Sequence, residues 1–163
     1  MSIQFIREIM FNVYYRLKLK ELILDKEKII KKLTQIFDLE LSGVIRYTHY
    51  SLMVFGPNRL PLVDFFKEQA NESLSHATLA GEHITGLGGH PPLNIKEIKE
   101  TFKHNISEIL KETLAHEKMA IKNYYELLQI IDGKSVYLEE YARSMIGQEE
   151  LHFLEVEKML KEN

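Results

Sequence analysis

The chain has 163 residues, of which 45% are hydrophobic and 28% charged, with a formal net charge of −3; that is enough for one domain with a sizeable core, and no apolar run reaches the ~18 residues a membrane span needs. It contains no cysteine, which excludes disulfides and thiolate-held metals, leaves Glu, Asp, His and Tyr as candidate ligands, and fits a cytoplasmic protein. Residues 1–32 hold eight Lys/Arg and four Asp/Glu, a net of +4, so the remainder carries −7; that acidic body suits a cationic substrate, and no basic, aromatic-laced stripe points to nucleic acid.

The first element is a helix over residues 1–21, with Ile3, Ile6, Ile9, Met10, Val13, Tyr14 and Leu17 on one broad face. Arg7 and Glu8 come early and no small-residue cleavage site follows, so this stretch does not read as a signal peptide. It is expected to dock on the rest of the molecule or on a neighbouring copy. The expected organisation is a helical extension over 1–22 and one all-α domain over 23–163.

Four long helices follow. The first starts at Asp25, a good N-cap, and runs to about Met53. The second has Pro61 in its first turn and ends near Thr85. The third takes Asn105 as N-cap, with Glu108 three residues on, and ends near Asp132 and Gly133. The fourth starts at Ser135 and runs nearly to the C-terminus. Turns at Phe55–Arg59 and Asp132–Ser135 are short, so the helices they join are antiparallel neighbours. The second and third are separated by about 17 residues, Leu87 to Lys103. A crossover of that length lets them run parallel, which predicts a four-helix bundle with one long connection.

Each helix carries an acid where its apolar stripe should face the core. Glu40 falls on the stripe of Ile29, Leu33, Ile36 or Phe37, Val44 and Tyr47. Glu72 and His76 share a line with Phe65, Gln69, Leu79 and His83. Glu117 lies among Ile106, Leu110, Thr113 or Leu114, Ile121, Tyr124 and Leu128. Glu149 and His152 lie among Leu138, Tyr141 or Ala142, Met145, Val156 and Met159. At 1.5 Å per residue all four acids sit roughly 16–22 Å from a bundle end. A lone buried carboxylate is costly because its charge loses hydration. Four at one level, with two imidazoles, match two divalent cations; oxygen and imidazole donors suit iron or manganese, and zinc is the third candidate. Taken singly each acid has an ordinary explanation, such as an ion pair of Glu40 with Arg46 or of Glu117 with Lys118 or Lys122. His49, His90, His104 and His116 are expected on the surface or beside the ligands.

This arrangement over residues 25–160 resembles the bacterioferritins, within the ferritin-like di-iron carboxylate proteins. Glu40-Leu41 with Tyr47 seven residues on, Leu114-Ala115-His116-Glu117 with Lys122-Asn123, and Glu149-Glu150-Leu151-His152 carry the likeness. The resemblance implies Glu40 and Glu117 as terminal ligands, Glu72 and Glu149 as bridges, His76 and His152 as caps, and Tyr47 beside the metals. It implies two irons per chain, oxidation of Fe²⁺ by oxygen or peroxide for storage or detoxification, and a homo-oligomer. The chain departs from the pattern on the second helix, where Ser73 stands three residues before His76 and the acid, Glu72, four before. The family's haem-ligating Met would fall among Ser73, Leu74 and Ser75, so no haem is expected. Only eleven residues follow His152, too few for the family's fifth helix, so the family's hollow shell is not implied. Two other readings stay open: a di-metal oxidoreductase acting on an organic substrate, and a metal-free helical interaction module.

Overall fold

The computed structural model describes residues 24–94 and 96–161. They form four helices: α1 (Lys26–Met53), α2 (Arg59–Gly86), α3 (Ile106–Ile131) and α4 (Val136–Leu160). There is no strand among the described residues, and no helix among them is long and apolar enough to cross a membrane. The helix expected over 1–21, and with it the division at residue 22, lies outside the described residues.

The caps act where the sequence places them. The Asp25 carboxylate accepts from Lys28 N at 3.1 Å, Asn105 Oδ1 accepts from Glu108 N at 3.0 Å, and Ser135 Oγ accepts from Leu138 N at 3.4 Å. Each satisfies an amide that has no partner within its helix. Asn58, ahead of α2, makes no such bond. The α1–α2 turn passes through Gly56 at φ 97°, a backbone conformation that costs glycine nothing. The Arg59 guanidinium closes this turn by donating to the Val54 carbonyl.

Pairing follows from connection length. Helix α1 packs antiparallel to α2 across the short turn, α3 packs antiparallel to α4, and α1 also packs on α3. The direction of that last pair is set by Lys32 reaching Glu126 (2.6 Å) and Tyr124 reaching Glu40 (2.9 Å), while Tyr50 reaches Glu112 (2.7 Å) at the other end. Because α2 and α3 are each antiparallel to α1, they run parallel, and residues 87–105 cross the length of the bundle to join them. This is the expected four-helix bundle with one long crossover.

The core is not continuous. One cluster gathers Ile29, Leu33, Ile36, Ile84, Tyr124, Leu127, Ile131, Leu138 and Met145. A second gathers Tyr47, Tyr50, Val54, Phe66, Ile109, Leu110 and Val156. On every helix the residues between the two clusters are polar and buried: Glu40 on α1, Ser73 and His76 on α2, Thr113, His116 and Glu117 on α3, Glu149 on α4. Each fully buried Leu or Ile contributes roughly 1.5–3 kcal/mol, so the two apolar halves supply the stability against which the polar layer must be maintained.

Helix α2 buries part of the expected line, Gln69, His76 and His83, and otherwise the strip beside it. Leu79 is exposed, Phe65 is only partly buried, and the core face is Phe66, Ala70, Ser73, Ala77, Ala80 and Ile84. Small residues on that face let α2 lie close to α1, and close packing outweighs the burial of one larger side chain. On α3, Ile106, Ile121 and Leu128 are half-buried while Ile109, His116, Ala120, Leu127 and Ile131 take the interior; on α4, Met159 is exposed.

Gly43 marks a close approach of α1 to side chains of α2 and α3. A Cβ there would stand 2.7 Å from Ser73 Oγ and 2.9 Å from His116 Nε2. Gly43→Ala is therefore expected to destabilise the metal-free protein by about 1–3 kcal/mol, the usual cost of overpacking an interior. Urea denaturation checks this: an unchanged midpoint would mean that the helices can part at no cost.

Candidate metal centre

The polar layer brings together five of the six expected ligands. Glu40, Glu117, Glu149 and His76 are 2%, 2%, 3% and 4% exposed. One group consists of Glu40, His76 and Glu149, and a second of Glu117, Glu149 and His152; within each, donor atoms lie within 4.8 Å of one another. Glu149 belongs to both. Its Oε1 is 2.8 Å from His76 Nδ1, an ion-pair approach that is not aligned as a hydrogen bond, so this buried oxygen has no hydrogen-bond partner. Its Oε2 is 3.9 Å from His152 Nδ1.

Two tyrosines brace the layer. Tyr47 donates to Glu117, and Tyr124 donates to Glu40 at 2.9 Å. Each tyrosine follows one glutamate by seven residues on its own helix and serves the other glutamate across the bundle. Tyr47 was legible in the sequence as a neighbour of the site; Tyr124 was read only as core. The shared spacing, Glu40 to Tyr47 and Glu117 to Tyr124, is the signal that would have found it.

The sixth expected residue is placed differently. Glu72 is half exposed at the rim and stands outside both groups. Its Oε2 accepts from Gln69 Nε2 at 2.9 Å and lies 3.1 Å from His152 Nε2, the ring nitrogen opposite the one facing Glu149. Ser73 takes the inward position on this turn of α2. His76 is held at its outer nitrogen by Gln148 Oε1, 3.3 Å away, which leaves Nδ1 turned to the carboxylates.

His116 takes the second of its two expected places, buried beside the ligands. Its ring meets Tyr47 edge-on at 5.6 Å, and it forms the wall between the centre and a 360 Å³ cavity bounded by α1, α3 and the crossover. Burial and the Arg46 charge lower its pKa to about 4, which keeps it neutral. His49 and His104 lie outside the centre, as expected, but close to each other.

The electrostatics are those of a site built for a positive guest. Burial, then the Glu149 charge, raises Glu40 to about 8; burial, then Glu149 again, raises Glu117 to about 10. At His76, burial opposes the charged form, but contact with Glu149 and Glu40 outweighs it and raises the group to about 9. Glu149 alone is shifted downward, because His76 and Glu117 outweigh the effect of its burial. Near neutral pH the cluster thus holds protons on Glu40, Glu117 and His76 around one charged Glu149. Those protons occupy the places that cations would take.

A ferritin-like domain model matches residues 30–162. The chain belongs to the ferritin-like domain family. Its fold is shared by a ferritin-like di-iron carboxylate protein from Bacillus anthracis, 26% identical, covering 84% of this chain and 98% of that one at a TM-score of 0.80. A bacterioferritin-related protein from Bacteroides fragilis, described as a dodecameric thioferritin, is 24% identical, covers 89% and 92% of the two chains, and superposes at 0.80. The bacterioferritin of Desulfovibrio desulfuricans is 24% identical, with coverage of 83% and 79% and a TM-score of 0.72. Curated protein sequences return no significant match.

The raised groups make the metal-free protein sensitive to alkali. Glu40 and Glu117 keep their protons in the fold well above the 4.5 at which they ordinarily lose them. The stability this retention represents is complete below about pH 4.5 and is lost as pH rises through 8 and then 10. His76 acts in the same direction between its ordinary 6.5 and about 9. The melting temperature of the chelated protein should therefore fall between pH 6 and pH 9; a melting temperature that is flat or rising across that range would contradict the assignment of protons.

Proposed function

We propose that the chain binds Fe²⁺ as a substrate at this centre and oxidises it. The observation that carries the reading is Glu149: fully buried, common to both donor groups, and holding an oxygen with no hydrogen-bond partner. A carboxylate in that position is suited to bridge two cations. Glu40 and His76 complete the set around one ion, and Glu117 and His152 the set around the other. Glu72, at His152 Nε2, keeps the second imidazole in the tautomer whose Nδ1 lone pair faces the ion. Tyr47 and Tyr124 hold the two outer carboxylates in orientation once their protons have gone.

In the proposed reaction each Fe²⁺ gives up one electron. The pair reduces dioxygen to hydrogen peroxide with uptake of two protons, or reduces peroxide to two waters with uptake of two protons. Three carboxylates and two neutral imidazoles stabilise the ferric state by charge and by hard oxygen donors. The donor set contains no thiolate and suits manganese as well as iron. The space enclosed by these side chains is too small for an organic molecule, which favours ion oxidation over oxidation of an organic substrate. Exposed Leu52, Phe55, Leu60, Val136 and Tyr137 supply apolar surface for self-association, in keeping with a homo-oligomer. Whether the ferric product serves storage or detoxification depends on that assembly.

The deciding experiment is an anaerobic Fe²⁺ titration of the metal-free protein in weakly buffered solution at pH 7, followed by oxygen. Two irons per chain are expected, with release of about three protons, one each from Glu40, Glu117 and His76, and a near-ultraviolet ferric absorbance on oxygenation. Glu149→Ala should abolish saturable binding and oxidation, while His90→Ala, in the exposed crossover, should leave both intact. If the titration shows no saturable iron and no proton release, and chelators leave the melting temperature unchanged, the polar layer is a metal-free network and the chain is an interaction module.

A further inference from the structure

A second cluster of metal-ligating side chains lies away from the centre, where the crossover passes over α1. His49 projects from α1, while Glu100 and His104 come from the crossover just before α3. Their donor atoms lie within 4.8 Å of one another. Glu100 Oε1 is 3.2 Å from His49 Nε2 and 3.2 Å from His104 Nε2, and the two rings stand 5.6 Å apart. Two donors bound about 2.1 Å from a common ion stand about 3.0 Å apart at a right angle and about 3.4 Å apart at the tetrahedral angle. Both separations fall between those limits, so two of the three donor–donor edges already match a coordination polyhedron.

Glu100 and His104 are hydrogen-bonded to each other, but that bond does not satisfy His49. His49 Nε2 is shut off from solvent, and at 3.2 Å from the carboxylate it is not aligned to bond to it, so it has no hydrogen-bond partner. Between Glu100 and His104 the backbone takes the left-handed conformation at Phe102, φ 57°, with the ring exposed. Across this turn Lys103 N donates to Thr101 Oγ1, and Thr101 Oγ1 donates to Glu112. Glu100 and His104, on either side of it, both stand against His49.

The three side chains open onto a cavity of about 170 Å³, so water can fill the remaining coordination positions. Arg46, Lys99 and Lys103 share this cavity; Arg46 donates to the Tyr50 hydroxyl, and Lys103 lies 3.9 Å from Glu108. Glu112, also on the wall, adds a negative charge. His49 is nine residues beyond Glu40 on α1, about 13 Å along the helix axis, so the cluster shares no ligand with the buried centre.

We propose that His49, Glu100 and His104 form a separate mononuclear site for a divalent first-row transition metal, with Zn²⁺ the best match to two imidazoles and one carboxylate. The ion joins α1 to the crossover and fixes that connection on the bundle. The site does not depend on the iron chemistry of the interior and keeps its role if that reading fails.

The test uses the full chain, freed of metal, with Zn²⁺ alone as the probe. Calorimetric titration gives the number of sites, and hydrogen exchange read on peptides from residues 96–105 locates this one. Zn²⁺ is expected to slow exchange in that stretch in the wild type and in His90→Ala. In the double variant His49→Ala/His104→Ala it should leave exchange there unchanged and lower the stoichiometry by one. Glu100→Gln, which keeps the side-chain shape, should weaken this site at least tenfold. The proposal is overturned if Zn²⁺ does not alter exchange at 96–105 in the wild type, or if the double variant binds as many ions as the wild type.

Discussion

Everything in this bundle depends on the charge of three carboxylates and a histidine enclosed at one level between four helices. Removing one such group from water costs several kcal/mol unless a partner restores what hydration supplied. Here the partners are internal: shared protons, the Glu149–His76 contact, and phenol hydroxyls from Tyr47 and Tyr124. The arrangement is balanced but not apolar. It therefore divides the core into two clusters, each of which must be close-packed to offset the layer between them.

The centre has an approximate internal symmetry. Helices α1 and α3 each contribute a glutamate and, two turns on, a tyrosine that bonds to the opposite glutamate. Helices α2 and α4 each contribute an imidazole. The symmetry breaks at one position: α4 places Glu149 three residues before its histidine, whereas α2 places Ser73 there and moves its acid one residue outward to Glu72. A shift of one residue on a helix is about 100° of rotation, enough to carry Glu72 from the interior to the rim. The small Ser73 that replaces it on the inside sits against Gly43 of α1. Close approach of α1 and α2 and an outward Glu72 are thus two consequences of one local sequence, and they leave Glu149 as the one carboxylate common to both donor groups.

Much of this was legible in the chain itself. The caps at Asp25, Asn105 and Ser135, the two short turns and the single long crossover follow from local chemistry, and the helices begin and end within a residue or two of where those signals put them. Glu40, Glu117 and Glu149 were legible because a carboxylate is conspicuous in an otherwise apolar stripe. The buried face of α2 was legible only in part, at Gln69, His76 and His83, because its stripe of Ala, Ser and Gly carries little hydrophobic contrast, while Leu79 suggests burial that it does not have. Which of its two expected places His116 takes is not legible in the sequence, for a related reason. An imidazole one residue before a buried glutamate reads as the start of the polar face, and only the gap left by Gly43 on a different helix shows that there is room for it inside.

By itself, then, the sequence determined the helices, their order and the level at which the acids would meet, since these rest on interactions within a few residues of the chain. The tertiary structure decided which of those acids share an ion-sized space, which tyrosine braces which carboxylate, and that His49, Glu100 and His104 converge. These depend on how closely and at what rotation two helices pack, which is set by side chains far apart in the chain: Gly43 against Ser73, Tyr47 against Glu117, Tyr124 against Glu40. A periodicity says which face turns inward to within about one residue, and at a metal centre one residue separates a ligand inside from a carboxylate at the rim.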